Sequence, residues 1–213
     1  MMEYFFNGYT ASLIIAYLLG SIPFGILITR LFHKGDLRKV GSGNIGATNV
    51  MRVGGLRLAG LVWLLDMAKA MLAVWLCYWM GPSTFGVAFN HNVALVYGAW
   101  GGFAAIIGHC FPIWLKFHGG KGVSCLFGVL LAINPILFVV CGLSWLAIAL
   151  GTGYSSAGAL AAFCVMPVLG FFINFDLGIA FLVIALLCLW QHRANIIRLL
   201  SGKESKIEWK WKK

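Results

Sequence analysis

The chain has 213 residues, of which 61% are hydrophobic and only 10% charged; an ordinary soluble domain carries about 25% charge. With a mean hydropathy of +0.91, this composition excludes a typical soluble globule, a disordered chain and a coiled coil. It reads as one all-α integral membrane domain over residues 1–213. The 16 Lys and Arg against 6 Asp and Glu give a formal charge of +10. That excess is assigned to basic cytoplasmic loops and anionic substrates, not to nucleic acid, because most of the surface would sit in lipid.

Spans of about 20 apolar residues are predicted at 9–32, 56–80, 93–115, 155–173 and 177–197. The first is read as a retained span, since no positive segment precedes it and its apolar run is long for a cleavable signal. Residues 122–150 are too long for one span and short for two. Charge decides the count. Lys34, Arg38, Lys39 and Arg52 place 33–55 in the cytoplasm, with Asp36 and Arg38 shaping that loop; 81–91 carries no Lys or Arg and lies outside. Lys116 and Lys121 are inside again, and the basic tail 198–213 is inside only if 122–150 crosses twice. Asn134-Pro135 supplies the break, giving pieces at 122–133 and 135–150. The expectation is a seven-span bundle with a short broken helix of about 18 Å, its N-terminus outside and its C-terminus cytoplasmic.

The six cysteines lie almost wholly in apolar runs with no C-x-x-C pair, and are read as small hydrophobes that form neither a disulfide framework nor a zinc site. Gly98 and Gly102, four apart on the third span, are expected to let helices approach closely. Asp66 and Lys69, three apart within the second span, are read as a structural ion pair. His91 and His109 are taken for interface or core histidines, and Trp209 and Trp211 among the tail lysines for a contact with an anionic membrane surface.

Three polar segments stand out, all on the predicted cytoplasmic side. In the first, Ser42, Asn44, Thr48 and Asn49 can donate to anionic oxygens, Arg52 can clamp a phosphate, and glycines 41, 43 and 46 permit close backbone approach. The second runs Lys116-Phe117-His118-Gly119-Gly120-Lys121-Gly122 ahead of the short helix, where free N–H groups and the positive dipole end favour an anion. It is not a Walker loop, because Gly122 follows the lysine where Ser or Thr is required. The third, at the end of the last span, places His192, Asn195 and Arg198 three apart on one helical face.

Together these segments resemble the bacterial membrane acyl-phosphate:glycerol-3-phosphate acyltransferase family. The matching stretches are 42–52, 119–123 and 192–202, continuing to Glu204 and Lys206. Gly20-Ser21-Ile22-Pro23-Phe24-Gly25, Asp66 with Lys69, and Gly108-His109 with Pro112 support the match. The resemblance implies a multi-pass enzyme of the bacterial inner membrane with its active site facing the cytoplasm. It implies transfer of an acyl group from acyl phosphate to the 1-hydroxyl of sn-glycerol 3-phosphate, without metal or organic cofactor. The soluble enzyme that forms acyl phosphate is implied as a functional partner.

Carried over by position, Ser42, Arg52, Lys121, His192 and Asn195 are the expected catalytic set. Asn44, Thr48, Asn49, Gly119, Gly120, Gly122 and Arg198 are expected to bind substrate, and Glu204 to support structure. The proton of the attacking hydroxyl goes to His192 or to a substrate phosphate. The His-x₄-Asp pattern of another glycerolipid acyltransferase group is absent. A transporter for an organic phosphate would share the phosphate loops and the broken helix, but it calls for polar groups at the midplane. A structural membrane subunit leaves the three polar segments unexplained.

Overall fold

The computed structural model describes residues 8–41, 43–84 and 88–207, and these are helical with no strand. Ser42, Trp209 and Trp211 lie outside the described residues. The elements are α1 (Gly8–Gly20), α2 (Phe24–Leu31), α3 (Ala47–Thr84), α4 (His91–Cys110), α5 (Val123–Ile133), α6 (Pro135–Thr152), α7 (Ser155–Ile173), α8 (Phe175–Gln191) and α9 (Arg193–Leu200). Five stretches are long and apolar enough to cross a membrane, with α1 and α2 together forming one; the bent pair α8–α9 makes a sixth. The apolar helix α5, at 11 residues, is shorter than a span.

α3 runs on through Pro82 to Thr84, past the expected end at residue 80, and four further differences from the sequence expectation each have a local reason. The first span breaks at Ser21–Pro23, because proline has no N–H to continue the ladder. Residues from Ala47 onward, expected in a loop, are helical and run into α3 across a kink at Gly55, where φ is 78° and ψ 179°. The third span ends as an α-helix at Cys110, and Pro112 starts a 3-10 turn at Ile113–Leu115. The last span bends by 61° at His192 instead of continuing straight. The predicted break at Asn134-Pro135 is present: Asn134 ends α5, and its Oδ1 accepts from Ile136 N at 2.8 Å to cap α6.

α3 is the central helix, packed against α1, α4 and α5, while α7 lies between α6 and α8. Glycines make these approaches close. A Cβ on Gly98 would meet Val74 Cγ1 at 3.1 Å, and one on Gly108 would meet Tyr17 O at 2.1 Å. The main core fills the space between these helices with residues such as Phe163, Met166, Phe181 and Ile184. A second small core of Ile26, Leu37, Ile45, Val50, Ala59 and Val62 sits under the first polar segment and pins it to α3. All six cysteines are free, five of them buried.

Candidate active site

The first polar segment is held from within by Asn49, which is 1% exposed. Its Nδ2 donates to Leu37 O (3.0 Å), Val40 O (2.9 Å) and Asn44 O (2.9 Å). Those donors were expected to reach a substrate; they are spent on the loop. Gly41, at φ 60°, lies against Asn49 Oδ1, and a Cβ there would meet that atom at 2.3 Å. With the loop fixed, Asn44, Thr48 and Arg52 line one wall of a cavity. Thr48 Oγ1 is 3.5 Å from Ser155 Oγ at the start of α7, and Arg52 Nη2 donates to Ser205 Oγ at 2.8 Å.

The second segment folds back on the end of α4. Gly119 N donates to Cys110 O at 3.0 Å and Gly120 N to His109 O at 2.9 Å. These two N–H groups are therefore not available to an anion, contrary to the sequence expectation. Glycine is required because a Cβ would meet His109 O at 2.2 Å from position 119 and His109 Nε2 at 2.0 Å from position 120. Gly122, at φ 85°, turns the chain into α5, whose N-terminus no side chain caps. Lys121 projects from the loop and donates to Asn195 Oδ1 at 2.5 Å. Burial, then the Arg198 cation, lower its pKa below the ordinary lysine value; Glu204 pulls the other way, and Arg52 adds a smaller lowering.

The third segment supplies the opposite wall. His192 is 3% exposed at the α8–α9 bend; its Nδ1 lies 2.8 Å from Cys188 O, and its ring packs edge-on against Phe163 at 5.1 Å. A carbonyl only accepts, so Nδ1 carries the proton and Nε2 of the neutral ring is an acceptor. Asn195 Nδ2 and Ser156 Oγ donate to Glu204 Oε1 at 2.6 and 2.7 Å, and Arg198 Nε donates to Glu204 Oε2 at 2.6 Å. Burial alone would raise the Glu204 carboxyl, but these hydrogen bonds outweigh it and the pKa is lowered. Glu204 thus ties α9 to α7. The following residues cross the site as a strap, with Ile207 N donating to Gly153 O at 2.8 Å.

All three segments meet in one cavity of about 1010 Å³. Its polar end is lined by Arg52, Lys121, His192, Asn195, Arg198, Lys203 and Glu204, and its other end by Leu56, Trp63, Phe127, Phe138 and Leu146. Leu56 and Leu146 are 50% and 39% exposed, so the apolar end reaches the outer surface between α3 and α6. Ser155, Ser156, Lys203 and Ser205 escaped the sequence reading; the serine pair at the head of an apolar span was its one available signal.

Under the glycine loop lies a buried charged cluster. Lys69 Nζ is 2.7 Å from Asp66 Oδ1, 2.7 Å from Ile22 O and 3.2 Å from His109 Nδ1. The expected pair is thus a cluster that also holds the α1–α2 break and α4. Asp66, His109 and Cys125 bring ligand atoms within 4.8 Å of one another, but the Lys69 ammonium already supplies the positive charge there. His109 is a core histidine as read from sequence, yet it also lines the cavity floor; His91 is exposed and bonded to the Tyr78 hydroxyl at 2.8 Å.

The chain matches the family profile described as glycerol-3-phosphate acyltransferase over residues 10–202. A glycerol-3-phosphate acyltransferase of Rhizobium etli (strain CFN 42) is 45% identical over 199 residues, covering 92% of this chain and 90% of the relative. One from Allorhizobium ampelinum is 47% identical over 198 residues, covering 92% and 91%. The crystal structure of PlsY (YgiH), an integral membrane glycerol 3-phosphate acyltransferase in its glycerol 3-phosphate form, superposes with a TM-score of 0.81 at 35% identity, covering 94% of this chain and 96% of that one. Its lysophosphatidic acid form gives 0.78, also at 35% identity, covering 93% and 94%. With the profile spanning nearly all of the described helices and the glycine loop, basic wall and last-span motif converging on one cavity, this chain belongs to the glycerol-3-phosphate acyltransferase family of integral membrane proteins.

Proposed function

We propose that the protein transfers a fatty acyl group from acyl phosphate to the 1-hydroxyl of sn-glycerol 3-phosphate. The products are lysophosphatidic acid and inorganic phosphate, the first acylation in phospholipid synthesis. The observation that carries this reading is a single cavity with a cationic end and an apolar end that reaches the outer surface. A phosphorylated acyl chain has the same two-ended chemistry. Each CH₂ left in hydrocarbon contributes about 0.8 kcal/mol, so the chain stays in the bilayer while glycerol phosphate enters from water.

The hydroxyl oxygen attacks the acyl carbonyl carbon, the carbon–oxygen bond to phosphate breaks, and the phosphate leaves. The donor is a mixed anhydride with a good leaving group, so no acyl-enzyme and no cofactor are called for. Arg52, Lys121 and Arg198 neutralise phosphate oxygens, Asn44 and Thr48 orient them, and Ser42 adds a hydroxyl from the same segment. Positioning and charge stabilisation supply most of the rate. The Nε2 lone pair of His192 is suited to take the hydroxyl proton, with a substrate phosphate oxygen as the other acceptor.

Counting α5 and the bent α8–α9 pair as crossings gives seven spans, with the N-terminus outside and the site facing the cytoplasm of a bacterial inner membrane. There the site can receive acyl phosphate from the soluble enzyme that forms it. The test is to mix purified protein, acyl phosphate and labelled glycerol 3-phosphate in detergent without added metal. Labelled lysophosphatidic acid is expected. Its absence, with flux of glycerol phosphate through proteoliposomes, would favour a transporter instead.

A further inference from the structure

His109 belongs to none of the three polar segments, yet its imidazole separates the buried charged cluster from the glycine loop. On one side Lys69 Nζ is 3.2 Å from Nδ1, closer than Asp66 Oδ1 at 3.6 Å. On the other, Gly120 packs directly over Nε2. An ammonium only donates, so Nδ1 accepts and the ring proton sits on Nε2; an imidazolium would carry a proton at Nε2 as well. The residue is 4% exposed, and Nε2 has no hydrogen-bond partner among the described residues. His109 nevertheless lines the cavity, in the company of Lys121 and Gly122. Among the described residues the fully buried side-chain atoms without a hydrogen bond are Asp66 Oδ1 and Trp145 Nε1, so His109 Nε2 is not sealed off but reachable from the cavity it lines, and its N–H can donate to a ligand oxygen there.

We propose that His109 Nε2–H is a substrate-binding donor to a phosphoryl oxygen at the cavity floor, beside Lys121. A phosphoryl oxygen suits this place because its neighbours are a cation and the uncapped start of α5, whereas the apolar lining lies on α3, on α6 and one turn further along α5 at Phe127. The proposal rests on the acyl-transfer reading and deepens it. The site then contains two imidazoles of opposite polarity: His192 presents a lone pair and His109 a proton.

The test compares wild type, H109N and H109Q as purified full chains, measuring kinetics toward both substrates, calorimetric binding of inorganic phosphate, and melting temperature. Asparagine keeps an oxygen for Lys69 but offers nothing at the ε position; glutamine can place an amide N–H there. H109N is expected to lose about 10- to 100-fold in kcat/KM while its Tm stays within about 4 °C of wild type. H109Q is expected to recover most of the loss, and phosphate binding to follow the same order. Wild-type turnover in H109N overturns the proposal, as does an equal loss in both variants that tracks a fall in Tm. A wild type that makes no lysophosphatidic acid, yet binds phosphate as well as H109Q and better than H109N, overturns the acyl-transfer reading and leaves the donor standing.

Discussion

Replacing Gly120 by alanine tests how rigidly the glycine loop is set. The new Cβ would meet His109 Nε2 at 2.0 Å and the two adjoining ring carbons at 2.8 Å, against 3.4 Å or more for ordinary contact. The ring cannot swing aside freely, since Lys69 holds Nδ1 at 3.2 Å, and Gly120 N is tied to His109 O at 2.9 Å. The loop must therefore lift by about 1 Å, carrying Lys121 away from Asn195. Overpacking of this kind costs about 1–3 kcal/mol, a Tm decrease of about 2–12 °C for a chain of this size. A misplacement of about 1 Å costs about 100-fold in rate. Steady-state acyl transfer by purified G120A, alongside its melting curve, measures both. Turnover within about twofold of wild type in a folded G120A protein would falsify the claim that His109 sets the height of the loop.

Three further outcomes are expected. Because burial and neighbouring cations lower the Lys121 pKa, its charge is lost at a lower pH than that of an ordinary lysine. The alkaline fall in kcat/KM should therefore begin early in the wild type and move to higher pH in K121R; an unmoved limb in an active K121R protein argues against Lys121 as the titrating cation. The lowered Glu204 pKa gives stability that is present above the ordinary carboxyl range and lost as pH falls through the folded value. E204Q should melt lower at neutral pH, by about 1–2 kcal/mol after discounting the 39% exposure of Arg198, and the difference should shrink in acid. D66A should cost about 3–5 kcal/mol by stranding Lys69 in the core, and D66L/K69M should regain most of it, as read by chemical or thermal unfolding in detergent; equal loss in both variants would show that the ion pair itself, not the stranded charge, matters.

The apolar helices and the Asn134-Pro135 break were legible because hydropathy and proline chemistry act locally. The kink at Gly55 and the bend at His192 were not, since a glycine or a histidine at the end of an apolar run is equally compatible with a straight helix until its neighbours are known. The sequence also identified Arg52, Lys121, His192 and Asn195 as polar groups on one side, and the structure brings them to one cavity. It could not tell which polar groups are already committed. Asn49 looked like a ligand and holds the loop, Gly119 and Gly120 looked like N–H donors and are bonded to α4, and His109, read as an interface or core histidine, also lines the cavity. Each of those distinctions depends on contacts between residues far apart in the chain.

Under the proposed reaction, the opening between α3 and α6 would determine where a one-tailed product goes. A molecule leaving sideways with its head still at the polar end enters only the half of the bilayer it came from. Every turnover under the proposed reaction would then enlarge one monolayer without the other, and balanced growth of the envelope would depend on a separate means of moving lipid across.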